Sequence, residues 1–241
     1  MKIKRLLLTS VITGWLGLVQ PFLGLSQEKD STKQNDDSNL NFNAKTDFFS
    51  KYIFNGINFS DTPVLQPSVN IFYDNFTLGA FLNFDIKTKR VDEADIILDY
   101  TRQINENLSL LVGYNLLTFI NEDYNENVHE IYIGVSLSNL LNENLSVTKG
   151  FGDVDGSCAK LSLDKELDFD NFSISAGADL IYSNKYFTEK NGFSNLEFKL
   201  EIPIRLLEKL EFTPGIYHSK AINNEELKDE TYYSGSLEFK F

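Results

Sequence analysis

The stretch "LEFKLEIPIR", residues 196–205, places Leu196, Phe198, Leu200, Ile202 and Ile204 on one side of an extended chain. Glu197, Lys199, Glu201 and Arg205 occupy the other side. Successive side chains of a strand point to opposite faces, so this segment is apolar on one face and charged on the other. "FSISAGADLIY", residues 172–182, repeats the arrangement, with Phe172, Ile174, Ala176, Ala178, Leu180 and Tyr182 opposing Ser173, Ser175, Gly177 and Asp179. A soluble sandwich alternates in the same way, so periodicity alone leaves open what lies against the apolar face.

Twelve segments of this kind follow one another, at roughly 41–54, 67–73, 76–85, 93–103, 108–118, 129–138, 145–151, 157–167, 172–183, 194–205, 210–219 and 231–241. Their connections come in two classes. Asp74-Asn75, "NEN", "NLLNEN", "DFDN" and "LLEK" are tight. Between them fall "GINFSDTPVLQ", "IKTKRVD", "INEDYNENV", "NKYFTEKNGF" and "KAINNEELKDE", with the short "GDVDG" at 152–156 as the exception. Short and long connections alternating around an even number of strands is the pattern of an outer-membrane barrel, with short turns and both termini on the periplasmic side. In lipid every backbone N–H and C=O must be paired internally, which a closed sheet achieves. The fold expected is therefore all-β, a 12-stranded antiparallel transmembrane β-barrel of the bacterial outer membrane, built from residues 40–241.

An internal repeat supports the hairpin reading. "ENLSLLVGY", "ENLSVTKGF", "DNFSISAGA" and "EKLEFTPGI" each leave a tight turn and carry Gly113, Gly150, Gly177 or Gly215 on the inward face. Tyr52, Phe54, Tyr73, Phe84, Tyr100, Tyr114, Tyr182 and Tyr233, near strand ends, fit the aromatic girdles of the two interfaces.

Residues 1–26 have the composition of an export signal: Lys2, Lys4 and Arg5, an apolar run from Leu6 to Leu18, then Gly24 and Ser26 before Gln27. Residues 27–39, "QEKDSTKQNDDSN", form a flexible polar leader with nothing to bury. Elsewhere no run of about 18 apolar residues offers a helical span. Cys158 is the single cysteine, so no intrachain disulfide forms. The formal charge of −13 argues against nucleic acid as a partner.

If the apolar rows face lipid, the opposite rows line the interior. The candidate lumen residues are Lys45, Asp47, Lys51, Asp95, Asp99, Glu130, Asp179, Glu197, Lys199, Glu201, Arg205, Glu211, Glu238 and Lys240, joined by Asp85, Lys160, Asp164 and Glu166. Acids outnumber bases twelve to six in this set, and a wet pore of that sign favours cations. The same charges could instead pair and close the lumen; strand 194–205, with Glu, Lys, Glu and Arg in succession, suits that equally. No zinc spacing, phosphate-binding Gly loop or nucleophile motif is present, so no catalytic, cofactor or metal residues are assigned. His129 and His218 read as solvated side chains at loop-side strand ends rather than a barrel-rim hydrolase site. The acidic loop "INNEELKDE" is a poor match to a calcium loop.

Along "FFSKYIFNGINFSDTPVLQPSVNIFY", residues 48–73, Ser50, Lys51, Tyr52, Gly56, Pro63, Gln66, Pro67 and Ser68 resemble the first hairpin of the TorF-like family of outer-membrane porins. Phe54 stands where that family usually has Trp, and Asn55 where it has Arg. The resemblance implies an outer-membrane barrel and transport of small solutes, without naming one. The last segment ends "GSLEFKF", residues 235–241. Its row Tyr233, Leu237, Phe239 and Phe241 is expected to face lipid and to serve as the signal read by the outer-membrane assembly machinery.

Overall fold

The structure, a computed structural model, describes residues 40–120, 125–222 and 224–241; the expected signal peptide and leader lie outside them. Fifteen strands are formed: β1 (Leu40–Phe49), β2 (Tyr52–Phe54), β3 (Ile57–Ser60), β4 (Val64–Tyr73), β5 (Phe76–Asp85), β6 (Arg90–Asn105), β7 (Leu108–Ile120) and β8 (Asn125–Ser138). These are followed by β9 (Asn142–Gly152), β10 (Ser157–Asp168), β11 (Ser173–Asn184), β12 (Asn191–Glu201), β13 (Ile204–Leu207), β14 (Leu210–Ala221) and β15 (Glu230–Lys240). Among the described residues there is no helix.

Each barrel strand pairs antiparallel with the next, and β1 closes the sheet on β15 while β14 bridges β15 to both β12 and β13. β12 and β13 form one wall interrupted at Pro203, which has no N–H to give to the ladder. The result is a closed barrel of twelve walls. The two ends of the described barrel, Leu40 opposite Tyr73 and Phe241 bonded through its N–H to the Phe42 carbonyl at 3.0 Å, both lie at the short-turn end.

The alternation read from sequence becomes an inside and an outside. Ile131, Ile133, Leu145 and Val147 are 45–58% exposed on neighbouring strands, part of a continuous outer apolar band. A patch of that extent is not stable in water and is the lipid-facing belt of a spanning barrel. The strands extend further toward the loops than the apolar pattern suggests: β6 begins at Arg90, β8 at Asn125 and β12 at Asn191. Above the lipid belt the outer face no longer needs apolar residues, so the pairing continues where the hydrophobic signal stops.

The first segment departs from expectation. β1 ends at Phe49, and the chain turns inward to form β2 and β3, which pair with each other in a separate two-stranded sheet. Phe54 faces Ile57 across Asn55-Gly56, both at positive φ (50° and 81°), the geometry of a type I′ hairpin turn. Tyr52 and Phe54 are therefore not girdle residues; they are 5% and 1% exposed inside the barrel. Tyr73, Tyr182 and Tyr233 do stand on the outer face, near its two ends. The apolar core sits within the loop-side half of the lumen, where Phe49, Ile53, Phe54, Tyr132, Tyr186, Tyr217 and Tyr232 cluster.

Candidate functional site

The period of two sends every second residue of each strand into the lumen, and the register decides which of them meet. Lys45, Asp47, Asp95, Asp99, Glu130, Asp179, Glu197, Lys199, Glu201 and Glu238 are buried on the inner face. Glu211 is half-buried and stands opposite the exposed Arg205 at the short-turn mouth, where Lys240 Nζ lies 3.6 Å from Glu238. A recess of about 310 Å³ opens at this mouth, lined by Glu166, Asp168, Arg205, Glu211 and Lys240. Lys51 sits apart, at the base of the inward hairpin.

Among the described residues, the buried charged side chains are twelve acids, Asp47, Asp85, Glu93, Asp95, Asp99, Glu130, Asp164, Asp179, Glu197, Glu201, Glu230 and Glu238, and the lysines Lys45, Lys160 and Lys199. They are not evenly spread. Strands β4–β8 contribute Asp85, Glu93, Asp95, Asp99 and Glu130 and no buried base. The three lysines lie on the other strands, Lys45 on β1, Lys160 on β10 and Lys199 on β12, which also hold or neighbour the remaining seven buried acids. Lys199 Nζ approaches Asp164 at 2.6 Å and Lys45 Nζ approaches Asp47 at 3.2 Å. Asp179 and Glu197 are direct cross-strand partners, 0% and 2% exposed, and like charges so placed repel.

Phenols and amides mediate between these charges. Tyr132 donates to Asp99, Tyr186 to Glu130, and Tyr217 to Glu201 at 2.5 Å. Asn115 donates to Glu130 at 2.9 Å, and Asn43 to Glu238 at 2.9 Å. The inward glycines provide the room. A Cβ on Gly113 would lie 2.1 Å from the Tyr132 ring, and one on Gly177 would lie 2.2 Å from Asp164 and 2.3 Å from Lys199.

The loop-side half is filled by the hairpin β2–β3. Its tip crosses the lumen: a Cβ on Gly56 would meet the Asn195 side chain of β12 at 2.5 Å. Asn55 shares with Ser146, Thr148, Cys158, Lys160 and Tyr186 a cavity of about 10 Å³, no larger than a water molecule. Tyr52 donates to Glu93 at 2.7 Å. Phe54 packs on Tyr186 and Phe187 of the β11–β12 connection, and Phe59 stacks on Phe119 at 5.7 Å and meets Phe187 edge-on at 5.8 Å. Burying Ile53 and Phe54 contributes roughly 1.5–3 kcal/mol each. Lys51 anchors the base through Glu230 at 2.6 Å and Asp61 at 3.2 Å. The hydrogen bond to Glu230 raises the Lys51 pKa, and Asn58 and Lys51 hold Asp61 below the usual carboxylate value. Glu130, Asp179 and Asn195 are each 0% exposed, so the lumen is closed at this level.

Some of this was hidden from the sequence. Glu93 shares the parity of Asp95 and Asp99, but it lies at the edge of the apolar pattern. The signal for the hairpin was Asn55-Gly56 between "YIF" and "INF".

No family model and no curated protein matches the chain. Solved structures do. The KdgM porin is similar at 11% identity and TM-score 0.56, covering 83% of this chain and 99% of that one. The KdgM porin in complex with disordered oligogalacturonate gives TM-score 0.57 at 11% identity, with 83% and 99% coverage. The NanC porin gives TM-score 0.57 at 10% identity, with 83% and 100% coverage. The fold is that of an outer-membrane porin.

Within this barrel the two histidines stand at the loop end in ordinary surroundings. His129 Nδ1 is 2.7 Å from the Tyr114 hydroxyl and its ring stacks on Phe151, while His218 Nδ1 is 2.9 Å from the Thr231 hydroxyl. The row Tyr233, Leu237, Phe239 and Phe241 lies on the barrel's outer face, 37–62% exposed. Cys158 is buried under the hairpin tip.

Proposed function

We propose that this protein is a passive outer-membrane channel for small solutes, with an acidic, cation-preferring lumen. The observation that carries the reading is the excess of buried acid: twelve buried acids against three buried lysines among the described residues, with five of those acids on β4–β8, where no base is buried. Such a lining lowers the energy of a cation relative to an anion. Residues 1–26 deliver the chain across the inner membrane as an export signal and residues 27–39 remain a polar leader. Insertion follows recognition of the final strand by the assembly machinery. The likeness of residues 48–73 to the TorF-like family supports the same assignment, as does the porin fold. Catalysis has no part in it.

The experiment is planar-bilayer recording of the folded full chain, with the reversal potential read in a potassium chloride gradient. A cation-selective reversal potential supports the reading, and anion selectivity removes the argument from the lumen charges. A second reading, a closed barrel with a structural or surface-binding role, draws on the complete burial of Glu130, Asp179 and Asn195. Absence of ohmic conductance from the folded barrel, with the hairpin both present and deleted, would establish that alternative.

A further inference from the structure

We propose that residues 50–63 form a gate, which closes the lumen as seen here and opens by swinging out as a unit on its two ends. This rests on the channel reading. The hairpin is built to be separable from the wall. β2 and β3 hydrogen-bond to each other in their own sheet rather than extending the barrel sheet. The bends at Ser50-Lys51 and Asp61-Thr62 supply the two pivots. Its two ends stay tied to the wall through the backbone, Ser50 N–H to the Tyr233 carbonyl at 2.9 Å and Ile86 N–H to the Pro63 carbonyl at 3.0 Å. Between them its polar links to the walls are side-chain contacts: Lys51 to Glu230 at 2.6 Å, Tyr52 to Glu93, Asn58 to Glu230 at 3.1 Å, and Ser60 and Thr62 to Asp85 at 3.1 and 2.5 Å. Each of these side-chain groups exchanges readily for water, so if the end bonds at Ser50 and Pro63 persist, residues 51–62 can leave the seat without breaking a backbone bond to the wall.

The seat directly under the tip is mixed, with a polar part beside Cys158 and Tyr186. Under the tip lie Ser146, Thr148, Lys160 and Asn195, residues that water can solvate once the hairpin departs. Ile53 and Phe54 join the buried apolar cluster with wall residues including Tyr132, and the ring contacts of Phe54 and Phe59 reach the β11–β12 connection. Phe187 meets both Phe54 and Phe59 at 5.8 Å, and Phe119 completes the ring triad with Phe59 and Phe187. Phe187, at φ 52°, is held in a left-handed backbone conformation, so the lock is on a connection of unusual local geometry. Displacing one connection frees the other.

Cys158, the single cysteine, reports the position of the gate, because it lies beneath Asn55 and is 6% exposed. The test uses the folded full chain and a small cationic methanethiosulfonate. In the F59A/F187A double variant, Cys158 labelling should rise about tenfold or more, and single-channel open probability should rise with it. In N55C, an oxidised link between position 55 and native Cys158 should abolish conductance, and a reductant should restore it. Heat-modifiable migration identifies which variants fold, and N55C keeps the test decisive if F59A/F187A does not. Unchanged labelling and conductance in folded F59A/F187A, or conductance in N55C indifferent to reductant, would overturn the gate. Raised labelling without any conductance would overturn the channel reading and the gating role with it, while leaving the hairpin displaceable.

Discussion

Gly56 and Asn195 meet across the lumen: a Cβ on Gly56 would stand 2.5 Å from the Asn195 side chain, and the Gly56 φ of 81° is one that residues with a Cβ rarely adopt. The tip of a hairpin that leaves the barrel between β1 and β4 thus reaches a strand on another part of the wall. Gly56→Val should unseat the tip at a cost of about 1–3 kcal/mol. The barrel should still show heat-modifiable migration, while Cys158 becomes reactive. Unchanged thiol reactivity in the folded variant would show that the tip tolerates the added bulk.

Gly113 and Tyr132 form a comparable pair inside the wall. The Tyr132 ring lies over Gly113 and its hydroxyl donates to Asp99, so a methyl on Gly113 has nowhere to go. Gly113→Ala should destabilise the barrel by roughly 1–3 kcal/mol, and Tyr132→Ala in the same chain should remove most of that added penalty. Urea unfolding of the single and double variants in micelles measures the coupling; additive losses would mean that the ring moves aside freely.

The cross-strand carboxylates Asp179 and Glu197 repel each other within the lumen. Asp179→Asn should stabilise the folded barrel by on the order of 1 kcal/mol. It should also shift the reversal potential toward zero by removing one lumen acid. A loss of stability would show that Asp179 is held by a compensating charge whose contribution exceeds the repulsion.

At the base of the hairpin the electrostatics predict a pH window. Asp61 is held below its ordinary value of 3.8, so its contribution is full above that value and fades as pH falls through the lower folded-state pKa. Lys51 is raised above 10.5, so its contribution is full below that value and is lost only as pH rises past it. Open probability should therefore rise in acid below about pH 4 in the wild type. Asp61→Asn should raise the baseline at neutral pH and flatten that acid limb; superimposable profiles for the two proteins would refute the anchor.

Phe241 ties the last residue to the first strand through its N–H bond to Phe42, and its ring lies 4.6 Å from that of Phe239 on the outer face. Deleting Phe241 should lower the assembled fraction severalfold while leaving the conductance of barrels that do insert unchanged. Quantitative heat-shift gels of membrane fractions would check this, and normal assembly of the shortened chain would refute the role of the terminal ring.

The two faces of each wall were legible because they depend only on local parity. Leu196, Phe198 and Leu200 against Glu197, Lys199 and Glu201 needs no knowledge of neighbours, and the even number of such segments implied closure. The extra length of β6, β8 and β12 was not legible, because polar residues above the lipid belt carry no hydrophobic signal. Tyr52 and Phe54 were assigned to a girdle because an aromatic residue near a strand end looks the same whether it turns outward to lipid or inward to the lumen. Glu93 was missed for a related reason: at the end of a pattern, parity has too few neighbours to be read.

By itself the sequence determined a closed sheet of twelve walls, an apolar exterior and an acidic interior, since these follow from the two-residue repeat and the need to pair every backbone group in lipid. Only the tertiary structure decided that Asp179 faces Glu197, that no base is buried on β4–β8, and that residues 52–60 occupy the lumen. Those outcomes depend on strand register and on contacts across the barrel, such as Gly56 with Asn195, between residues that no local periodicity connects.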